Sequence, residues 1–206
     1  GMTNSFANGN PDSYLYLIKT DENGEQQWSQ IFGELGVARG ACVTQTGEGG
    51  YIITGYMIDI DGVEAGICLI KTDSNGEEEW SQTFAETEGG FGTSVQQTSD
   101  GGYIVTGGAL PFGNVDVYLI KTDGNGVEQW FQTYGGISNE WGYSVEQTTD
   151  GGYIVAGVTS SLGNGEQDVY LIKTNEFGNI TSTIEFPAIN KSLITTVDIL
   201  GRETNN

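Results

Sequence analysis

Short runs that contain apolar and β-branched residues recur along the chain, and polar, glycine-rich turns separate these runs. One stretch shows the pattern clearly, with strand-like runs at 93–99, 103–106, 117–122 and 128–133. Short runs rich in Val, Ile, Thr, Tyr and Trp, bounded by turn residues, predict β-strands. Asp100-Gly101 predicts a two-residue turn between the first two strands, and residues 123–126 predict the turn between the last two. The unit is therefore an antiparallel meander, whose strands we call A, B, C and D.

The turn between strands C and D predicts a register for that hairpin. If the last three residues of Asp21-Glu22-Asn23-Gly24 form the loop, Asp21 pairs with Glu25. Ile18 then faces Trp28 across the hairpin. The same register places Ile70 on Trp80 and Ile120 on Trp130.

The meander recurs along the chain. Leu-Ile-Lys-Thr occurs four times, with lysines 52, 50 and 52 residues apart at Lys19, Lys71, Lys121 and Lys173. Tryptophans follow the first three lysines by nine residues, at Trp28, Trp80 and Trp130. Gly-Gly-Tyr-Ile occurs three times, with tyrosines at Tyr51, Tyr103 and Tyr153. A unit of about 50 residues is therefore repeated.

Strand C carries apolar residues on both faces, for example Leu15 and Leu17 on one and Tyr16 and Ile18 on the other. A sheet buried on both sides must be stacked between other sheets. Four-stranded units of this length are typical of an all-β protein of the β-propeller class. We predict propeller repeats over 1–186, as a half blade at 1–35 and blades at 36–86, 87–136 and 137–186. The ring is predicted to be partial or to have about four blades.

Neither end of the repeat region coincides with a repeat boundary. Residues 1–9 resemble residues 157–165, which follow a strand B, so the chain is predicted to start just after such a strand. Residues 187–206 lie beyond the repeats and are predicted either to open a separate, truncated domain or to form a closing strand; Val197 lies 52 residues after Val145, which favours a strand A position. Because unpaired edges and apolar faces favour association, we expect either the tail or a second copy to complete the ring, and we favour the second copy.

Charge and composition exclude several functions. Seven Lys and Arg against 28 Asp and Glu give a net charge of −21, which disfavours nucleic acid and anionic membrane surfaces as partners. The sequence has no histidine, which excludes Ser-His-Asp triads and His-ligated metal sites. Cys42 and Cys68 fall on strands A and C with strand B between them, so we expect two free thiols.

The repeated lysines and tryptophans are interpreted as structural residues. Perturbed catalytic lysines occur at single sites, whereas these lysines recur in every repeat, so we expect long stems over apolar surface with their charges on nearby carboxylates. The tryptophans are expected to pack rather than to form a ligand cage.

Two sets of loops differ between otherwise similar repeats. They join D to A, at 33–40, 85–92 and 135–142, and B to C, at 56–66, 108–116 and 158–168. Both sets lie at the same end of a meander, and varied loops on a uniform scaffold favour recognition. The candidate ligand-binding residues there are Arg39, Phe91, Phe112, Glu140 and Trp141. Carbohydrate or an extended peptide would suit such a face, and the alternative is that Phe91 and Trp141 pack between blades.

One of these loops carries a candidate cation site. Asp59, Asp61 and Glu64 offer the carboxylates that calcium prefers. The motif lacks a full ligand series and occurs in one repeat, so the alternative is a solvated acidic loop with no cofactor.

The motifs Asp-Gly-Gly-Tyr-Ile, then Tyr-Leu-Ile-Lys-Thr-Asp-x-Asn-Gly, then Trp resemble those of bacterial secreted β-propeller repeats, which are distantly similar to quinoprotein-like propellers. Residues 197–203, Val-Asp-Ile-Leu-Gly-Arg-Glu, resemble the opening of a type IX secretion C-terminal sorting domain. The resemblance implies a secreted or cell-surface protein. No residues match the quinone, cation or catalytic carboxylate sites of the quinoproteins. We therefore predict a non-enzymatic binding module for protein or carbohydrate. The alternatives are a structural scaffold within a larger surface protein and, third, an enzyme, either quinoprotein-like or acting on glycans through a carboxylate pair.

Overall fold

The computed structural model of the chain describes residues 2–3, 14–33, 37–58, 65–84, 89–110, 113–162 and 167–186. The proposed calcium loop with Asp59, Asp61 and Glu64 lies outside the described residues. So do Phe112 and the tail at 187–206 with Val197.

Every element in the described residues is a β-strand, and the strands form four antiparallel sheets. Sheet 1 contains β1 (Met2–Thr3), β2 (Tyr14–Thr20) and β3 (Gln26–Phe32). Sheet 2 contains β4 (Val37–Gln45), β5 (Tyr51–Ile58), β6 (Ala65–Thr72) and β7 (Glu78–Phe84). Sheet 3 contains β8 (Phe91–Gln97), β9 (Tyr103–Ala109), β10 (Asp116–Thr122) and β11 (Glu128–Tyr134). Sheet 4 contains β12 (Glu140–Gln147), β13 (Tyr153–Thr159), β14 (Asp168–Thr174) and β15 (Ile180–Phe186).

Sheets 2 to 4 are meanders in which neighbouring strands are consecutive in the chain, so the predicted all-β repeat of strands A to D is confirmed. In sheet 1, Met2 pairs with Leu15 as Val158 pairs with Val169 in sheet 4. This register agrees with the likeness of Met2 to Val158, but it makes Met2–Thr3 the end of a strand B, so the prediction that the chain starts just after such a strand is wrong. The described part of the chain contains no helix long and apolar enough to cross a membrane.

The turn between strands A and B has three residues rather than the predicted two. The amide of Thr98 donates to the carbonyl of Gly102 at 2.9 Å, and the amide of Gly101 donates back to Thr98 at 2.9 Å. Only the last loop residue, Gly101, needs the left-handed region, with φ of +83°. This is the three-residue hairpin that ends in a glycine bulge, which the Asp-Gly dipeptide alone does not distinguish from a two-residue turn.

The turn between strands C and D is confirmed, but the predicted register beyond it is wrong. Asp21 donates its amide to the carbonyl of Glu25 at 2.9 Å, as expected. A β-bulge then leaves Gln27 unpaired, so Trp28 lies opposite Lys19 and not opposite Ile18. Trp80 and Trp130 likewise face Lys71 and Lys121 instead of Ile70 and Ile120. One extra residue reverses which face each later side chain occupies, and it places tryptophan beside lysine.

The sheets stack face to face in chain order, and the core lies between them. Three clusters of buried side chains join sheets 1 and 2, sheets 2 and 3, and sheets 3 and 4. On strand C the residues two and four before the lysine, such as Leu119 and Val117, face the next sheet. The residues one and three before it, such as Ile120 and Tyr118, face the previous sheet. None of these clusters in the described residues joins sheet 4 to sheet 1.

Each tryptophan spans the boundary between two sheets at the end where the A–B and C–D turns lie. Trp80 lies 5.8 Å from Tyr103 of the next sheet, measured between ring centroids. It also covers the next C–D turn, where a β-carbon on Gly126 would lie 2.6 Å from the Trp80 ring. The contact recurs between Trp28 and Tyr51 and between Trp130 and Tyr153.

Candidate functional site

The turn end of sheet 3 is organised around the buried side chain of Lys121. Its Nζ donates to the carbonyl of Thr122 at 2.7 Å and to Oε1 of Gln129 at 3.2 Å, and it pairs with Oδ2 of Asp100 at 2.9 Å. Gln129 is the bulged residue of β11, so the bulge directs its side chain to the lysine. A β-carbon on Gly102 would lie 2.1 Å from the Thr122 carbonyl oxygen, so the Gly-Gly-Tyr motif makes room for this arrangement.

The other repeats keep the lysine but change its partner. Lys71 pairs at 2.7 Å with Glu79, the bulged residue of β7, while Lys173 pairs at 2.9 Å with Asp150 of the A–B turn. Lys19 lies 5.9 Å from the centre of the Tyr51 ring in sheet 2. Three of the lysines therefore have a carboxylate partner, and the fourth contacts an aromatic face.

The surroundings of Asp100 keep its carboxylate ionised. Partial burial raises the pKa, but hydrogen bonds from the Thr98 hydroxyl and from Lys121 outweigh that effect and lower the pKa to about 2. Burial, together with the negative charge of Asp100, raises the pKa of Tyr153 to about 12. At neutral pH this end of the protein therefore presents a charged Asp–Lys pair beside a protonated tyrosine.

A groove of about 560 Å³ lies between sheets 3 and 4 at the turn end. Its lining includes Asp100, Gln129, Trp130, Gln147, Glu176 and Phe177. Hydrogen bonds to their oxygens position both glutamine side chains. Gln147 Oε1 accepts a hydrogen bond from the Ser99 amide at 2.8 Å, and Gln129 Oε1 accepts one from Lys121. The groove thus combines aromatic rings with two carboxamides and the carboxylate of Asp100, all three held by hydrogen bonds.

Phe177 is the residue that sets this groove apart. The residue is 60% exposed and occupies the tip of the C–D turn of sheet 4. The corresponding residues are Asn23, Asn75 and Asn125. The turn is maintained by Asn175, whose Oδ1 accepts the amides of Phe177 at 3.0 Å and of Asn179 at 2.9 Å. The turn therefore does not require a phenylalanine at position 177, and packing does not bury it.

The residues predicted for ligand binding lie at the opposite end, on the face of the D–A and B–C loops, and the structure brings only some of them together. Phe91 and Trp141 are half-buried and both approach Gly108: Phe91 pairs with it across the sheet, and a β-carbon there would lie 2.6 Å from the Trp141 ring. Arg39 is exposed on sheet 2, opposite Tyr56. Phe91 and Trp141 thus both lie beside Gly108, whereas Arg39 lies on another sheet.

Glu140 is fully buried on the same face. Its carboxylate accepts hydrogen bonds from the Gly136 amide at 2.8 Å, the Thr159 hydroxyl at 2.9 Å and the Ser161 amide at 3.1 Å. Burial, with the added repulsion of Glu140, raises the pKa of Asp116 nearby. In the described part of the chain, no group of three or more Cys, Asp or Glu residues is placed to hold a metal ion. Through its hydrogen bonds with Gly136, Thr159 and Ser161, Glu140 joins the D–A loop to the B–C loop at this face.

Both cysteines are free, with Cys42 on β4 and Cys68 on β6, as the strand order predicted. Burial raises the pKa of the Cys68 thiol to about 12, so it is not a nucleophile at neutral pH.

No protein-family model and no curated protein matches this chain.

Sequence reasoning missed the groove at the turn end because the turns are nearly uniform between repeats, and uniform turns suggest structure rather than recognition. The one visible signal was the departure of Phe177 from asparagine in an otherwise repeated turn.

Proposed function

We propose that the chain is a β-propeller-type repeat protein that acts as a non-enzymatic binding module for carbohydrate, in the groove between sheets 3 and 4. The observation that carries the proposal is the exposed ring of Phe177, at a position where three other turns have asparagine. Single exposed apolar residues are common on protein surfaces, so the weight of this observation comes from the place of the ring, in the lining of a groove that also contains Trp130.

The chemistry of the groove fits a sugar. Pyranose rings present an apolar face of C–H groups and a rim of hydroxyls. Phe177 and Trp130 offer the matching apolar surface, while Gln129, Gln147 and Glu176 lie around them with donors and acceptors. A concave surface with apolar lining and a few fixed polar groups is the usual form of a small-molecule site.

Charge narrows the class of sugar. Lys121 neutralises Asp100, which leaves the carboxylate of Glu176 in a groove on a chain of net charge −21. This negative charge repels acidic glycans, so neutral glycans are the proposed ligands.

The ionisation of Asp100 makes this group unsuited to act as a general acid. A general acid needs a pKa near neutrality, whereas that of Asp100 is about 2. The propeller class is supported by the stacking of four-stranded meanders in chain order, and secretion or surface display rests on the resemblance of the repeats.

The test is a glycan array probed with the full chain and with Phe177→Asn, which restores the residue found in the other turns. We expect neutral glycans to be retained by the native chain, and their affinity, measured by calorimetry, to fall at least about tenfold in the variant. Retention unchanged in Phe177→Asn would overturn the assignment of the groove. Failure of the native chain to retain any glycan would favour a purely structural scaffold.

A further inference from the structure

The junction between sheets 2 and 3 shows how the protein itself can use a strand A carboxamide at the turn end. Gln97 accepts the Gly47 amide with its oxygen at 2.8 Å. Its nitrogen donates to the carboxylate of Glu48 at 3.4 Å. Both ends of this carboxamide are therefore occupied by protein groups.

The corresponding carboxamide of the groove between sheets 3 and 4 keeps its nitrogen free. Gln147 Oε1 accepts the Ser99 amide at 2.8 Å, as Gln97 accepts that of Gly47. The residue that corresponds to Glu48 is Asp100, whose carboxylate pairs with Lys121 at 2.9 Å instead. Among the described residues, none accepts a hydrogen bond from Gln147 Nε2. One amide donor is therefore available in the groove.

Gln129 supplies a second free amide. The corresponding bulged residue of sheet 2 is Glu79, whose carboxylate pairs with Lys71 and has no hydrogen to donate. Gln129 Oε1 accepts from Lys121 at 3.2 Å, and its Nε2 has no hydrogen-bond partner in the described part of the chain. The change from carboxylate to carboxamide thus keeps the contact with lysine and adds a donor.

The hydroxyl of Tyr153 is a third free group. The residue is only 2% exposed and lines the groove, and its hydroxyl takes part in no hydrogen bond of the described residues. Burial, together with the charges of Asp100 and Glu176, raises the pKa of Tyr153 to about 12, so the hydroxyl keeps its proton at neutral pH. A nearly buried hydroxyl that lines a groove without a protein partner is available to a ligand.

Free acceptors are fewer than free donors in this groove. The carboxylate of Asp100 already accepts from Lys121, from a hydroxyl and from a backbone amide. Glu176 is exposed, and its carboxylate has no hydrogen-bond partner within the described ranges. The free polar groups are therefore three that donate and one carboxylate that only accepts, beside two aromatic rings.

This set of groups belongs to the junction itself and not to an end of the stack. Gln129 and Gln147 lie on neighbouring sheets. The turn tips Asn75 and Asn125 of sheets 2 and 3 are exposed, as Phe177 is in sheet 4. The exposure of the ring is therefore a property of its position in the turn.

We propose that the sugar bound in this groove carries an acetamido group, as an N-acetylhexosamine does. The inference rests on the proposed carbohydrate function and names the ligand class for the same groove. An acetamido carbonyl accepts two hydrogen bonds, its N–H donates one, and its methyl group is apolar. These three parts complement the free amides and hydroxyl, the carboxylate of Glu176 and the exposed ring of Phe177, and the group carries no charge.

Calorimetry of the full chain with two pairs of monosaccharides tests the proposal. The pairs are N-acetylglucosamine with glucose and N-acetylgalactosamine with galactose, and the members of each pair differ only in the group on C2. We expect at least one acetamido sugar to bind about tenfold or more tightly than its partner. No preference in either pair overturns the inference, while retention of neutral glycans on the array leaves carbohydrate binding standing. Retention of no glycan at all contradicts the proposed function itself.

Matched variants at the two junctions identify the donors that matter. Gln147→Glu keeps an oxygen for the Ser99 amide but removes the free donor, and Tyr153→Phe removes the hydroxyl. Each should weaken binding of the acetamido sugar about tenfold. Gln97→Glu and Tyr103→Phe make the same changes between sheets 2 and 3 and should bind as the native chain does. Urea unfolding shows whether each variant keeps the fold. Equal effects within both pairs, at equal stability, would overturn the assignment of the acetamido group to these donors.

Discussion

The junction between sheets 2 and 3 and the junction between sheets 3 and 4 share one framework at the turn end. In both, a tryptophan and a tyrosine lie 5.8 Å apart with an angle of 59° between their rings. In both, a glutamine of strand A accepts the amide of the preceding A–B turn at 2.8 Å, Gln97 from Gly47 and Gln147 from Ser99. Repetition to this degree indicates what the fold itself requires.

The two junctions differ in the residues at the rim. Asn125 and Glu79 of the first junction correspond to Phe177 and Gln129 of the second. The differences add an exposed ring and remove a negative charge, and neither changes the framework. Residues that differ while the framework stays the same are not required by the fold and can contribute to binding. The groove between sheets 3 and 4 is therefore a better candidate site than the junction between sheets 2 and 3.

The largest effect is expected from breaking the shared framework at Gly102. In Gly102→Ala the new β-carbon would lie 2.1 Å from the Thr122 carbonyl oxygen, so the backbone must move. We expect a loss of about 3 kcal/mol in the free energy of unfolding, measured with urea.

The neighbouring glycine provides the control. A β-carbon on Gly101 meets no atom within 4 Å, and only its φ of +83° opposes alanine. Gly101→Ala should therefore cost about 1 kcal/mol. Equal losses at the two positions would show that the close approach to Thr122 is not what excludes a side chain at Gly102.

Replacing each of the two tryptophans by alanine distinguishes a contribution to stability from a contribution to glycan binding. Trp80→Ala and Trp130→Ala each remove a half-buried ring from one junction, so each should lower the free energy of unfolding by about 2 to 3 kcal/mol. Only Trp130 lines the groove between sheets 3 and 4, so only its variant should also weaken glycan binding in calorimetry. Loss of binding in Trp80→Ala at full folding would contradict this division.

The sequence was sufficient to predict the four-stranded meander, the strand order and the C–D turn, because strand-like runs recur between turn signals at a period of about 50 residues. It did not predict the bulge that places Trp28 opposite Lys19, since Gln27 has no feature that distinguishes a bulged residue from a paired one. It did not reveal the length of the A–B loop either, because Asp-Gly suits loops of two and of three residues.

The candidate site was less predictable than the fold. Sequence comparison between repeats indicated the loops that vary, but exposure and shape decide which surface is open. Glu140 varies between repeats and is nevertheless fully buried, while Phe177 varies within a turn and is exposed. Those two facts depend on how neighbouring sheets pack, which no single repeat encodes.

A smaller effect is expected from the acids of the A–B turns. The pKa of Asp100 is lowered from its ordinary value of 3.8 to about 2, so its ionised form stabilises the fold above about pH 4 and this contribution is lost as the pH falls through 2. Asp100→Asn should therefore show a weaker decline in stability between pH 4 and pH 2, with a difference at pH 7 below about 1 kcal/mol, because the carboxylate is largely exposed. Urea unfolding at several pH values measures this, and an unchanged acid slope would contradict it.

The smallest effect on stability is expected from exchanging the residues that distinguish the two junctions. Phe177→Asn and Asn125→Phe alter turn tips whose hydrogen bonds are made by Asn175 and Asp123 and by the backbone. Each should change the free energy of unfolding by less than about 0.5 kcal/mol in urea. A loss above 1 kcal/mol in Phe177→Asn would mean that the ring supports the fold after all. If Phe177→Asn loses glycan binding without losing stability, then the native ring does not support the fold. Recognition is then the property that accounts for the phenylalanine at position 177.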